Sequence, residues 1–328
     1  MRTRSVAVAH NAVAADDDPS TRDVLAQVGL VRGALDDLGI SHQVVEVGER
    51  GVDPAAIDGA SVVFNLVESP PGRPAFQVVA AAAFEALGLP LTGSPSAVIA
   101  VTTDKTATRD RLQRAGVAVA AGGVLDPEHP ELLQRVPPPW ILKPALEDAS
   151  LGLDDDAVTS DPTTALARAR SLARRFPGQP LLLEHLLPGR EFNIALLAGP
   201  DGPEVLPPAE MTYVDFPAHR PRIVGWEAKW DEGSFAYLHT VRRFLDPREQ
   251  RLAQQLAEVA VAAWLASGVA GYARVDVRAD EGGRPCVLEV NANPCISPDA
   301  GFVAAAATAS LTPSEVVSRI LDATGWRA

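Results

Sequence analysis

One stretch leaves few options for its folding: Gly271-Tyr-Ala-Arg-Val-Asp-Val-Arg-Ala-Asp-Glu-Gly-Gly-Arg-Pro-Cys-Val-Leu-Glu-Val-Asn-Ala-Asn-Pro294. Apolar and polar residues alternate on both sides of Gly282-Gly283, a pair free to take φ > 0, which predicts a β-hairpin. Turning there, the hairpin sets Arg274 opposite Asn291 and Asp276 opposite Glu289 on one face. Val275, Val277, Leu288 and Val290 form the other, apolar face, because strand side chains alternate with period two. Two carboxylates directly opposite, roughly 5 Å apart at Cβ, repel and destabilise the pair. A cation is therefore expected between them. Asp, Glu and Asn are hard oxygen donors, a set suited to Mg²⁺ bridging to phosphates. The alternative is an acidic hairpin that simply faces solvent.

The chain of 328 residues is long enough for two or three packed domains. A net charge of −13 argues against nucleic acid or an anionic membrane surface as the main partner, since no basic excess exists to neutralise phosphates. No charged start is followed by a long apolar run, so no secretory signal is expected, and the Ala-rich runs 78–83 and 303–309 are too short to span a bilayer. Two cysteines, Cys286 and Cys295, are too few for a disulfide framework and suit a reducing cytoplasm. Cys295 reads as a small buried thiol rather than a nucleophile. Of 29 basic residues only Lys105, Lys143 and Lys229 are lysines. Arg and Lys are not interchangeable at phosphate sites, so these positions invite a reason for a compact ammonium.

Along the chain, strands at 5–9, 43–47 and 61–67 alternate with helices at 23–38 and 76–87, which predicts a small parallel α/β unit over about the first 95 residues. Ligands in such sheets bind beyond the C-terminal strand ends, pointing to His10, Asn11, Glu68 and Ser69. A helix carrying Asp104-Lys105, a strand Trp140-Ile-Leu-Lys-Pro144, a loose loop 145–152 and a strand Leu181-Leu-Leu-Glu184 follow. Residues 211–237 are aromatic and aperiodic, the pattern of a lid or binding loop. An amphipathic helix at 247–267 precedes the hairpin, and a helix at 313–321 closes the chain.

In this order the motifs resemble an ATP-grasp enzyme, and within that superfamily a D-alanine–D-alanine ligase. The resemblance rests on Thr92-Gly-Ser94, Asp104-Lys105, Ile141-Leu-Lys-Pro144, Glu147 to Gly152, Glu184 to Phe192, Glu227-Ala-Lys229, Ala273-Arg-Val-Asp276 and Leu288-Glu-Val-Asn-Ala-Asn-Pro294. It implies an α/β fold, α+β in its C-terminal half: a parallel N-terminal domain (1–96) and two ATP-clamping domains (97–186 and 187–328). It implies ATP-binding residues Lys105, Lys143, Ser150, Glu184, His185, Leu187, Glu191, Lys229 and Leu288. His185 and Leu187 would meet the adenine edge through their backbones, Glu184 its amino group, and Glu191 the ribose. Asp276, Glu289 and Asn291 would hold two Mg²⁺ ions, or Mn²⁺ in their place. Lys229 would neutralise the phosphoryl group and Arg274 the oxyanion, the catalytic pair of a cytoplasmic ligase. A homodimer is also implied.

The chain departs from that family where substrate is chosen. The Gly-Gly-x-Ser-x-Glu motif after the first strand is Ala9-His10-Asn11-Ala12. The Ser-Ser pair of the phosphate loop is Ala149-Ser150, the tyrosine after the lid lysine is Trp230, and the last serine is Ala300. The expected activity is therefore carboxylate–amine ligation of a small acid to an amine or amino acid other than two D-alanines. His10, Asn11, Glu68, Trp230 and Asp299 are the candidate pocket residues. A D-alanine–D-alanine ligase with a rebuilt substrate network, and a nucleotide-binding module without catalysis, are the alternatives.

Overall fold

The computed structural model describes residues 5–327. Its first unit is a parallel sheet in the order His42–Val47, Val6–Asn11, Val62–Asn65. The central strand Val-Ala-Val-Ala-His-Asn is buried along its whole length, as expected of a parallel strand covered on both faces. Val6 and Val8 pack with helix Val24–Asp37, whereas Ala7 and Ala9 face the core beneath helix Phe76–Ala86. This strand runs two residues further than its sequence suggests, which takes His10 and Asn11 out of the loop.

The last helices, Gly301–Thr308 and Pro313–Asp322, do not close a separate domain. Phe302, Val316, Val317 and Ile320 share one core with Val6, Val8, Val31 and Leu35, and the Trp326 indole N–H donates to Ser61 Oγ (2.8 Å). The two ends of the chain are one packed body.

Two antiparallel sheets complete the fold. The four-stranded one has the order Gly122–Val124, Leu181–His185, Trp140–Pro144, Val158–Thr159, with helix Pro162–Arg175 against it. The six-stranded one runs Thr240–Phe244, Ala209–Tyr213, Glu191–Gly199, Tyr272–Ala279, Pro285–Asn291, and Gly202–Val205 pairs with Glu191–Gly199. Helix Gln250–Ser267 covers its apolar face with Leu256, Ala260, Ala263 and Trp264, and Gly268 stops that helix in the left-handed conformation (φ 74°). Ser96–Thr103 and Lys105–Arg114 are separate helices. Asp104 caps the second by accepting from the Thr106 and Ala107 amides, which places Lys105 in its first turn.

Gly122 shows how tightly the smaller sheet is drawn. A Cβ there would lie 2.3 Å from the Leu183 carbonyl oxygen and 2.8 Å from the Glu184 Cα. Gly122→Ala is expected to destabilise the fold by about 1–3 kcal/mol through this overpacking. A urea melt with an unchanged midpoint would contradict it.

Candidate active site

The antiparallel sheets face each other across a cavity of about 720 Å³, whose far end opens onto the C-terminal edge of the parallel sheet. Lys105, Lys143, Glu184, Glu191, Lys229, Arg274, Asp276, Leu288, Glu289 and Asn291 all line it. So do Asn11, Glu68, Ser150, His185, Leu187, Trp230 and Asp299. His10 does not. It continues the Val6–Val8 row and is buried, its Nδ1 on the Asn11 carbonyl oxygen (2.8 Å). Neighbours on a strand point to opposite faces, so only Asn11 reaches the cavity.

At one end stand the lysines. Lys105 Nζ donates to the Glu147 carbonyl (2.6 Å) and lies 3.8 Å from Asp148 and 3.7 Å from Glu289. Lys143 pairs with Glu184 at 2.8 Å, and Arg109 takes the other oxygen of the same carboxylate at 3.0 Å. Burial alone would lower the ammonium pKa of Lys143, but Glu184, helped by Glu289, outweighs it and raises that pKa. The Glu184 carboxylate therefore positions Lys143, and any contact with an adenine amino group would use the second lone pair of an oxygen already bound to a cation. The His185 N–H donates to the Ala121 carbonyl (2.7 Å) and its Nδ1 meets the Pro137 oxygen (2.9 Å), so the backbone contact expected of His185 falls to its carbonyl, beside the Leu187 backbone. Glu191 receives the Tyr213 hydroxyl (2.8 Å) and Arg278 (3.1 Å). Its burial still holds the carboxyl above the usual range.

The hairpin pairs Arg274 with Asn291 and Asp276 with Glu289, as the sequence predicts. Its tip differs. The turn spans Asp280–Arg284, which shifts the pairing by one residue (Ala279 with Pro285, Val277 with Val287), and a bulge after Asp276 restores the register at Glu289. Leu288 is the extra residue. It leaves the apolar face, where Val287 replaces it beside Val275 and Val277, and lines the cavity next to Glu289.

Arg274 grips Asp276 with two hydrogen bonds (2.7 and 2.8 Å) and lies 3.8 Å from Glu289. Asn193 donates to Asp276 as well (2.8 Å). Burial opposes the charge on Glu289, yet Lys105, Lys229, Arg274 and Lys143 together hold its carboxyl well below the usual range. Among the described residues no cluster of three or more His, Cys, Asp and Glu forms a metal site. The hairpin instead offers two carboxylates and the Asn291 amide, which touches both (3.4 and 3.3 Å) and would need a half-turn to present its oxygen. That donor set fits a hard divalent ion whose remaining ligands are phosphate oxygens.

The lid is sewn to the phosphate loop. Ser150 Oγ donates to the Val224 carbonyl (2.8 Å), the Trp230 indole N–H to the Ala149 carbonyl (3.0 Å), and the Trp226 amide to the Leu153 carbonyl (2.9 Å). Ala149 and Ser150 both take positive φ (55° and 61°). The Ser150 hydroxyl proton is thus taken up by the lid. Lys229, in the lid helix Trp226–Trp230, has its pKa lowered by burial and by Arg274.

The far wall is a chain of polar contacts. Asn11 Oδ1 accepts from the Glu68 amide (3.1 Å), and Gln27 Nε2 donates to Glu68 (2.7 Å) and to Asp23 (3.4 Å). Cys295 Sγ donates to Asp23 (2.9 Å) and meets Ser297 Oγ (3.1 Å), which donates to Asp299 (3.0 Å). Burial, with Asp23 and Asp148 nearby, pushes the Glu68 carboxyl up to about 7 against the pull of Gln27. Between pH 4.5 and 7 the folded state keeps a proton that the unfolded chain gives up, so Glu68 increasingly disfavours the fold as pH rises. Glu68→Gln keeps the Gln27 contact without the charge. It is expected to raise the melting temperature at pH 8 by a few degrees, a gain that fades towards pH 4.5. A shift independent of pH would contradict this.

Arg109, Arg278, Asn193 and Asp23 were not marked by the sequence reading. Two of them had a signal: Arg109 follows Lys105 by four residues on one helix and so shares its face, and Arg278 continues the Arg274–Asp276 row of its strand.

The smaller antiparallel sheet, the larger one and the polar cleft between them define an ATP-grasp fold. A family profile described as the D-ala D-ala ligase C-terminus matches residues 126–322. The D-alanine–D-alanine ligase of Halorhodospira halophila is 29% identical over 98% of this chain and 96% of its own. That of Gluconobacter oxydans is 32% identical over 83% and 86%. An uncharacterised protein of Sinorhizobium fredii is 31% identical over 84% and 78%. Among solved structures, Bacillus anthracis D-alanine–D-alanine ligase complexed with ATP superposes with a TM-score of 0.75 at 16% identity, covering 98% and 97% of the two chains. The chain belongs to the D-alanine–D-alanine ligase family, and is an ATP-dependent ligase of the carboxylate–amine type. Among the described residues no helix is long and apolar enough to cross a membrane.

Proposed function

We propose that the chain joins a small carboxylic acid to an amine-bearing substrate through an acyl phosphate, and that the pair is not two molecules of D-alanine. The observation that carries this reading is the convergence of Lys229, Arg274, Asp276 and Glu289 in one enclosed cleft. The acid's carboxylate oxygen attacks the γ-phosphorus and ADP leaves. The amine nitrogen then attacks the acyl carbon, and phosphate departs with that carboxylate oxygen. Lys105 and Lys143 hold the phosphates, the Leu187 backbone meets adenine, and Glu191 faces the ribose. Asp276, Glu289 and Asn291 would carry Mg²⁺, whose part is to neutralise the phosphate oxygens. Lys229 balances charge on the phosphoryl group in transit, and Arg274 donates to the oxyanion of the tetrahedral intermediate. The lid, bound to the phosphate loop through Trp230, keeps water from the acyl phosphate.

The non-dipeptide reading is supported by the residues at the substrate end. Positions where the family carries a Glu, Ser, Tyr and Ser network hold other groups here, and Trp230 and Ser150 serve the lid. We further assign residues 1–96, 97–186 and 187–328 to three domains, the last helices of the third being packed into the core of the first, and the cytoplasm as the compartment, in keeping with two free cysteines. An ADP-release screen over paired acids and amines, with D-alanine alone in parallel, tests the reading. Release with an acid–amine pair supports it. Release driven by D-alanine alone would restore the dipeptide, and tight ATP binding without any release would make the protein a nucleotide-binding module.

A further inference from the structure

The loop that leads into helix Phe76–Ala86 lines the cavity with Glu68, Ser69, Pro70 and Pro71, and Gln77 lines it from the first turn of the helix. Gln77 is buried. Its backbone N–H donates to Ser69 Oγ (3.2 Å), and that hydroxyl donates to the Pro74 carbonyl (2.9 Å), so the loop fixes where the helix begins. Both N–H groups of the Gln77 amide are taken, one by Thr103 Oγ1 (3.1 Å) and one by Asp148 Oδ2 (3.0 Å). The ligase chemistry above gives Gln77 no part.

The other oxygen of Asp148 faces Lys105. Lys105 Nζ stands 3.8 Å from it, within ion-pair reach but beyond a hydrogen bond. The ammonium donates at 2.6 Å to the Glu147 carbonyl and lies 3.7 Å from Glu289. One of its three N–H groups is thus committed, and the others remain for phosphate oxygens. Glu147 is moored on both sides, since its carboxylate accepts from the Gly72 N–H (3.2 Å) and from the Gln179 amide. Asp148 is not. Its side chain is 40% exposed, and among the described residues its carboxylate meets only Gln77 and Lys105. Released from Gln77, it would swing about 1 Å onto Lys105 and form a charge-assisted hydrogen bond there. That bond would compete with phosphate for the same protons.

We propose that Gln77 is a positioning residue of the nucleotide site: by holding one oxygen of Asp148 it keeps the other off Lys105, so that the ammonium stays available to phosphate. This rests on the assignment of Lys105 to phosphate made above. The test is a double-mutant cycle on the full chain, read by calorimetry of a non-hydrolysable ATP analogue with Mg²⁺. Gln77→Met keeps the length of the side chain and removes both donors, and should weaken binding about tenfold. Asp148→Ala removes the competitor. On that background Gln77→Met should change affinity by less than about twofold, because Gln77 then has nothing to hold back.

Thr103→Val cuts the second Gln77 contact and leaves Asp148 in place. Whatever it does to the melting temperature, affinity should stay within about twofold. Should Gln77→Met fail to fold, Gln77→Asn, an amide one methylene shorter, takes its place in the cycle. Unchanged affinity in the Gln77 variant would overturn the inference. So would a loss that persists undiminished with Asp148→Ala, or an equal loss in Thr103→Val, since either would mean a general loosening of the helix. These results leave the ligase reading standing. A wild-type chain that binds no nucleotide would remove both.

Discussion

Glu289→Gln is expected to lower turnover by about 10³-fold, close to 4 kcal/mol of barrier, while nucleotide affinity moves by less than about tenfold. The side chains have the same shape, and a glutamine oxygen can still accept from Asn291 as Glu289 does at 3.3 Å. What disappears is one negative charge at the meeting point of Lys105, Lys229, Arg274 and Lys143. Those cations would lose their shared counter-ion, and a divalent ion would lose its second carboxylate. Nucleotide binding keeps Lys105, Lys143 and the adenine contacts, so it should survive. Steady-state ADP release beside a nucleotide titration separates the two quantities. Unchanged turnover would remove the metal assignment.

Arg274→Met should cost about 10²–10³-fold in kcat, the usual loss when one oxyanion donor goes. Arg274 holds both oxygens of Asp276 in a planar fork, so its removal also loosens that carboxylate. Arg274→Lys distinguishes the two effects. A lysine restores the charge but not the fork, and should recover only part of the rate. Full recovery with lysine would mean that charge alone suffices and that the oxyanion role is wrong.

The pairing of Asp276 with Glu289 was legible because acidic residues interrupt an otherwise apolar alternation at matching distances from Gly282-Gly283. The bulge was not. Val287 and Leu288 are both apolar, so the pattern cannot tell which one packs on helix Gln250–Ser267 and which faces the cavity. The lysines were legible through their rarity and Arg109 through its spacing, but the pairing of Glu184 with two cations joins elements far apart in sequence. His10 and Asn11 look alike from sequence because the apolar run ends at Ala9, two residues before the strand does. Once the strand includes both, alternation must separate them.

The fold showed the same division. Strands and helices of the parallel unit announced themselves by period, whereas Gly202–Val205 and Thr240–Phe244 are short and half-exposed, with little alternation to read. The Ala-rich helix Gly301–Thr308 has no polar face, so nothing local marks it as the partner of the first strand.

The acyl-phosphate step can be tested directly with the acid that supports ADP release, labelled with ¹⁸O in its carboxylate. Transfer of one labelled oxygen to each inorganic phosphate formed is the expected result, since the carboxylate oxygen that attacks phosphorus leaves with it. Unlabelled phosphate would contradict an acyl-phosphate ligase.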